Sequence, residues 1–317
     1  MRLGVISTTA LPTPPKGYGG IELLVWYLTQ ELAKRKYDIR LYASPGSGKD
    51  NVELVTGSSE AELADLAYRD VSRGEVDVVL DWSHTKHFSS LYSGSRVLSQ
   101  VFWTDARGIN PVYPSRAVAS AFNDVKGNVI YPGIDLSRYV FRRDREDWFL
   151  YLGRIIPEKA VERVIAASRA TGIRLVVAGH TGDFSYDKNY VNLIKSMCRG
   201  RVAWVGDVDE KQKIDLLSHA RALLFYPRWL ESYGIVVTEA LASGCPCILG
   251  GSGGHMEQIT HGVEGFKCHS MDDFESAVGM IDRIDPENCR RRSEYFSSAR
   301  MAEDWEKAIR EIAGDRV

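Results

Sequence analysis

The chain is 317 residues long, 44% hydrophobic and 26% charged, with a formal net charge of -2. That length allows two domains of ordinary size, each burying its own core. The near-neutral balance gives no general pull toward nucleic acid or an anionic membrane, so nucleic acid is not an expected partner and only peripheral membrane contact is left open.

The chain begins directly as a short apolar strand, "MRLGVIST", and no segment approaches the length of a membrane span. Five cysteines (Cys198, Cys245, Cys247, Cys268 and Cys289) form an odd set without metal-type pairs, which fits reduced thiols and a cytoplasmic protein. Short β-rich runs then alternate with helical patterns: "RLGVIST", "GIELLVWYLTQELAKR", "YDIRLYAS", "SEAELADLAYRDVSRG" and "VDVVLDW". That order predicts βαβ units and a parallel sheet. Leu23, Leu24, Tyr27, Leu28 and Leu32 recur at helical spacing and mark a buried face. The series continues through "RVLSQVFWT", a helix near "SRAVASAF" and the strand "NVIYP".

From Gly133 to Trp148 the stretch "GIDLSRYVFRRDREDW" is charged and lacks apolar periodicity, which reads as a linker. A second alternating series follows: strand "FLYLG", helix "EKAVERVIAASRATG", strand "IRLVVAG", helix "YVNLIKSM", strand "RVAWVG", helix "DEKQKIDLLSHA" and strand "ALLFYP". Two amphipathic helices, "SMDDFESAVGMIDRI" and "ARMAEDWEKAIREIAG", close the chain. The expectation is an α/β protein of two Rossmann-like doubly wound domains facing a cleft. The first spans residues 1–140, the second 141–300, and a last helix over 301–317 crosses back to the first domain.

Open α/β sheets bind ligands beyond the carboxyl ends of their strands, where helix N-termini present unbonded N–H groups. Three loops stand there. "TTALPTPPKGYGGIE" places Gly17, Gly19 and Gly20 just before a helix, where backbone can approach a phosphate or sugar. It departs from the G-x-G-x-x-G fingerprint, and the plainer reading is a flexible Gly-rich lid. "LGRIIPEKAVERV" sets Arg154 and Lys159 around a helix start, two cations against the macrodipole; a bound diphosphate resolves that conflict, whereas the plainer reading is two solvated charges. "RWLESYGIVVTEALASGCPCI" sets Glu231 and Glu239 eight positions apart across a glycine. With a helix beginning near Tyr233 or Gly234, Glu231 stands on the preceding loop and Glu239 about one and a half turns in. A carboxylate can accept two hydroxyl hydrogen bonds, so one acid near a sugar and one near a ribose is a sensible division. The plainer reading is a dipole-satisfying acid and a surface Glu.

The third loop resembles the E-x7-E segment of the retaining glycosyltransferases of family 4, which have the two-domain B-type fold. "LGRIIPEK" resembles their diphosphate-binding segment, "VIYPGIDLSRY" their P-x-G-[VI]-D segment and "GGSGGHMEQITHGVEGF" their Gly-Gly-x-x-E loop, four motifs in order over almost the entire chain. The resemblance implies a hexosyltransferase that uses a nucleoside diphosphate sugar, without a metal or other cofactor. Arg154 and Lys159 would hold the diphosphate, and Gly19 and Gly20 would face it from the other domain. Glu239 would bind the ribose. Glu231, with Ser232 and the backbone at Tyr233 and Gly234, would hold the hexose. The acceptor, whether sugar, lipid or small molecule, is not identified.

Some positions depart from that pattern. The family's histidine region reads "VDVVLDWSHTKHF", leaving His84 as the nearest substitute, with His87 and Asp81 behind it. Loop histidines without a role are the other reading, and they keep open a catalytically silent nucleotide-sugar-binding protein or partner subunit. Met256 replaces the common Pro before Glu257, a lesser candidate. Asp207-Val208-Asp209 has the metal-binding D-x-D pattern, but Asp209 with Gln212 reads as a capping box. Cys245 and Cys247 read as core packing rather than metal ligands. Trp103, after a strand of the first domain, is the candidate acceptor contact.

Overall fold

The computed structural model describes residues 1–102, 106–182 and 187–314. The chain divides into two compact units, Met1–Asp135 with Phe296–Val317, and Leu136–Tyr295.

In the first unit β1 (Arg2–Ile6), α1 (Gly20–Lys34), β2 (Asp38–Ala43), β3 (Glu53–Thr56), α2 (Glu60–Ser72), β4 (Val78–Asp81), α3 (His87–Leu91), β5 (Val97–Gln100), β6 (Pro111–Tyr113), α4 (Arg116–Ala121) and β7 (Asn128–Val129) follow one another. Seven parallel strands lie in the order β3-β2-β1-β4-β5-β6-β7. β4 is buried at every residue, as a central strand covered on both faces must be. The strand order reverses between β1 and β4, whose register sets Ile6 beside Asp81.

The second unit contains β8 (Phe149–Leu152), α5 (Val161–Thr171), β9 (Leu175–Ala178), α6 (Lys188–Met197), β10 (Val202–Gly206), α7 (Glu210–His219), β11 (Leu223–Phe225), β12 (Leu230–Glu231), α8 (Ile235–Ala242), β13 (Cys247–Leu249), β14 (Ser252–Gly253), β15 (Gly265–Lys267), α9 (Met271–Met280) and α10 (Pro286–Ser293). Its main sheet is parallel, in the order β10-β9-β8-β11-β13-β15, and β12 pairs with β14 in a separate ribbon. Both units thus have the expected Rossmann-like architecture. The last helix, α11 (Ser298–Ala313), belongs to the first unit. Its fully buried Trp305 stacks 5.4 Å from Trp82, and Glu306 pairs with Arg35 at 3.3 Å.

The boundary between the units, Asp135/Leu136, falls inside the charged stretch 133–148 that reads as a linker. Beyond the boundary the stretch is anchored in the second unit: Tyr139 is buried, and the Arg145 guanidinium donates to the carbonyls of Leu217 and Ser218 at 2.9 Å each. Two sequence expectations need correction. The helix read from Glu158 is broken. Pro157–Lys159 form a 3-10 turn, and Ala160, at φ 50°, separates it from α5. The other correction concerns Glu231, which stands on a short strand rather than on a loop. β3, β6, α3 and α10 were not legible, because each is short or lacks apolar alternation.

Candidate active site

The β-branched run Ile235–Thr238 favours a strand by local propensity, yet it forms the first turns of α8. Gly234, at φ 80°, turns the chain into that helix, and a Cβ there would sit 3.0 Å from that of His255. Gln258 holds the turn by donating from Nε2 to the carbonyl of Tyr233 at 2.6 Å and to that of Gly234 at 3.1 Å. Its Oε1 accepts from Thr238, which in turn shares a hydrogen bond with the Tyr233 hydroxyl. Ser232, half-buried, completes the turn.

Glu231 is buried, and its Oε2 accepts from Lys159 Nζ at 2.5 Å and from Trp229 Nε1 at 2.8 Å. Burial alone would push this carboxyl up, but the Lys159 charge and hydrogen bond, with smaller help from His255 and Trp229, hold it below the usual range. Burial pulls the Lys159 ammonium down in turn, and the Glu231 charge partly offsets that. The Trp229 ring also receives Lys159 Nζ at 5.3 Å and the Arg154 guanidinium at 5.8 Å from its centroid. One indole touches all three groups. Lys159 is not a solvated surface charge, and the anion that offsets it is Glu231.

Glu239 is likewise buried on α8, and its Oε1 accepts from Lys213 Nζ at 2.5 Å and from the Tyr139 hydroxyl at 2.7 Å. Glu257 ends a 3-10 turn; its carbonyl accepts from Arg292 at 3.1 Å. His255, in the same turn, is wholly buried with Nε2 2.9 Å from the Gly250 carbonyl, and its pKa is pulled down to about 4 by burial.

Structure therefore brings Arg154, Lys159 and Glu231 together, and gives Glu239 its own lysine. Gly19 and Gly20 belong to the first unit, as the N-cap and first residue of α1. Their loop is pinned rather than free: Thr13 is buried, its N–H donates to Ser47 Oγ at 2.9 Å, and Thr8 donates to Glu22. His84 is exposed in that unit, with its backbone N–H on Glu60 at 3.1 Å and its ring 6.4 Å from Phe102. Asp81 is fully buried, accepting from Ser83, and His87 begins α3. Trp103 lies outside the described residues. Asp209 and Gln212 form the capping box of α7, while Asp207 accepts from Thr181. Among the described residues no group of three or more His, Cys, Asp or Glu is placed to hold a metal ion, and no helix is long and apolar enough to cross a membrane.

Sequence reading missed Tyr139, Lys213 and His255. Tyr139 lay in the stretch read as a linker, and Lys213 in a helix of which only the capping box was singled out. Their partner is 100 and 26 residues away, respectively, so no local spacing signals the contact.

The model of a family described as "Glycosyl transferases group 1" matches residues 136–298, just over half of the chain. Among curated proteins, a glycogen synthase of Mycobacterium tuberculosis (strain CDC 1551 / Oshkosh) is 30% identical over 189 residues, 56% of this chain and 44% of that protein. A D-inositol 3-phosphate glycosyltransferase of Mycobacterium avium (strain 104) is 31% identical over 175 residues, 49% of this chain and 41% of that protein. The chain thus spans less than half the length of these relatives. Among solved structures, AviGT4, a glycosyltransferase involved in avilamycin A biosynthesis, superposes with a TM-score of 0.79 at 23% identity, covering 99% of this chain and 98% of that one. A sucrose-phosphate synthase from Thermosynechococcus elongatus gives a TM-score of 0.80 at 15% identity, covering 98% and 99%. These structural likenesses are of fold.

Proposed function

The chain belongs to the group 1 glycosyl transferases, and from that premise we propose that it moves a hexosyl unit from a nucleoside diphosphate sugar to an acceptor hydroxyl, with retention and without a metal. The observation that carries this reading is the pair of buried glutamates on either side of Gly234, each held by its own lysine, with Arg154 stacked beside the first pair. Glu231 holds the hexose and Glu239 the ribose. Arg154 and Lys159 face the diphosphate. In the reaction the bond from the anomeric carbon to the diphosphate oxygen breaks and the bond to the acceptor oxygen forms. The acceptor proton passes to the departing diphosphate. Negative charge grows on that leaving group, and the two cations offset it where it develops. Lys159 already has one anion at Glu231, so the leaving diphosphate is a second partner for a cation that is in place beforehand.

The test is incubation with a panel of donors, UDP-glucose first, against sugar, lipid-carrier and small-metabolite acceptors, scoring nucleoside diphosphate release and the anomeric configuration of the product. Turnover with retention, unaffected by a chelator, is expected. Tight donor binding with neither transfer nor hydrolysis in any mixture would make the chain a silent nucleotide-sugar-binding protein. Loss of activity on chelation would overturn metal independence.

A further inference from the structure

We propose that Lys213 and Tyr139 are positioning residues that fix the Glu239 carboxylate so that it selects ribose over 2′-deoxyribose; this rests on the assignment of Glu239 to the ribose. Lys213 comes from α7, Glu239 from α8, and Tyr139 from the segment that leads into β8, so three separate parts of the second unit converge on one carboxylate. Both of its hydrogen bonds end on Oε1, from Lys213 Nζ at 2.5 Å and the Tyr139 hydroxyl at 2.7 Å. An sp² oxygen has two lone pairs, and these donors occupy both. The ammonium also lies 5.8 Å from the centroid of the Tyr139 ring, which ties the two donors to each other. α7 is itself fixed at its start by the capping box.

The consequence is a carboxylate that cannot rotate without breaking two bonds at once. No hydrogen bond ends on its Oε2 among the described residues, and the side chain keeps 7% of its surface exposed. Lys213 already neutralises the charge, so Oε2 suits an uncharged hydroxyl donor better than a cation, whose approach the ammonium opposes. A sugar diol has that chemistry. Glu231 repeats the arrangement in reverse: Lys159 and Trp229 both occupy its Oε2, and no hydrogen bond ends on Oε1 among the described residues. Each acid of the pair is thus locked through one oxygen by a lysine and an aromatic N–H or O–H.

The experiment compares the dissociation constants of a nucleoside diphosphate and its 2′-deoxy counterpart, using whichever of UDP, GDP and ADP binds the wild-type protein most tightly. A charge-assisted hydrogen bond predicts a wild-type preference of about tenfold for the ribose form. Lys213→Met brings the ratio toward one, mainly by weakening the ribose form, and raises KM for the donor more than it lowers kcat. Lys213→Arg restores much of the preference. Tyr139→Phe, which deletes a single oxygen, reads the same ratio should Lys213→Met melt below the assay temperature, and is expected to lower it in part. A purely structural role weakens both ligands alike, so an unchanged ratio in Lys213→Met, or in Tyr139→Phe where the first variant does not fold, overturns the inference. If Glu239→Ala leaves the ribose preference intact, the assignment of Glu239 itself fails, and that result is separable because it does not involve either positioning residue.

Discussion

Lys159 and Glu231 have side chains only 11% and 9% exposed, so each depends on the other for its charge. Removing one partner of a buried ion pair typically costs about 3–5 kcal/mol, because the remaining charge is stranded. Lys159→Met is expected to lower the unfolding free energy by about 3 kcal/mol on that scale, read by urea denaturation, with much of the loss recovered in Lys159→Met/Glu231→Leu. The two acids should also separate functionally. Glu239→Ala weakens binding of free nucleoside diphosphate about tenfold or more, while Glu231→Ala spares it and removes the added affinity of the sugar; equal losses in calorimetric titrations would refute the division. His255 supplies a pH dependence. Burial holds its pKa at about 4 against an ordinary 6.5, so the unfolded chain takes up this proton first as pH falls. Stability is therefore full above pH ~6.5 and declines as acidity approaches the folded value, by at most about 3 kcal/mol. The urea midpoint should fall between pH 7 and 5 in the wild type and fall less in His255→Gln; parallel slopes would show that this imidazole is not the cause.

At the scale of elements, the E-x7-E segment is built from two short pieces of secondary structure, β12 and α8, joined through Gly234. β12 puts Glu231 in register with Gly253 of β14, and a Cβ on Gly253, at φ 131°, would lie 2.1 Å from the Glu231 carbonyl. Gly253→Ala should therefore push β12 and β14 apart and lower transfer more strongly than a typical loop substitution, with kcat and donor KM both measured. α7 offers the contrasting case. Its capping box uses the second Asp of a D-x-D pattern, so Asp209→Ala should cost about 1 kcal/mol of stability. Metal dependence should not change; a new response to divalent cations in that variant would return Asp209 to the chemistry. The helices with strong caps and periodic faces were legible because their signals lie within a few residues. The turn Pro157–Lys159 was not, since "EKAVERV" continues a helical pattern through Ala160, and only the positive φ at that alanine breaks it.

At the scale of the molecule, the chain leaves its first unit near Asp135 and returns to it at Phe296. Ile134 and Ser297 bridge in parallel there, with Ser298 N–H on the Ile134 carbonyl at 2.8 Å. α11 then lays Trp305 and Ile309, both fully buried, into the core of that unit. Trp305→Ala should destabilise the protein by about 3–5 kcal/mol, with nucleoside diphosphate affinity retained below the lowered melting transition. The doubly wound architecture was written in the sequence by itself, because alternating apolar runs and amphipathic helices depend on local periodicity. So were Glu231 and Glu239, at a spacing that resemblance made specific. What only the tertiary structure decided is which groups hold them: Lys159 with Trp229 for one, Lys213 with Tyr139 for the other. Ion pairs between buried side chains are made by packing elements far apart in the chain, and neither propensity nor spacing encodes that meeting.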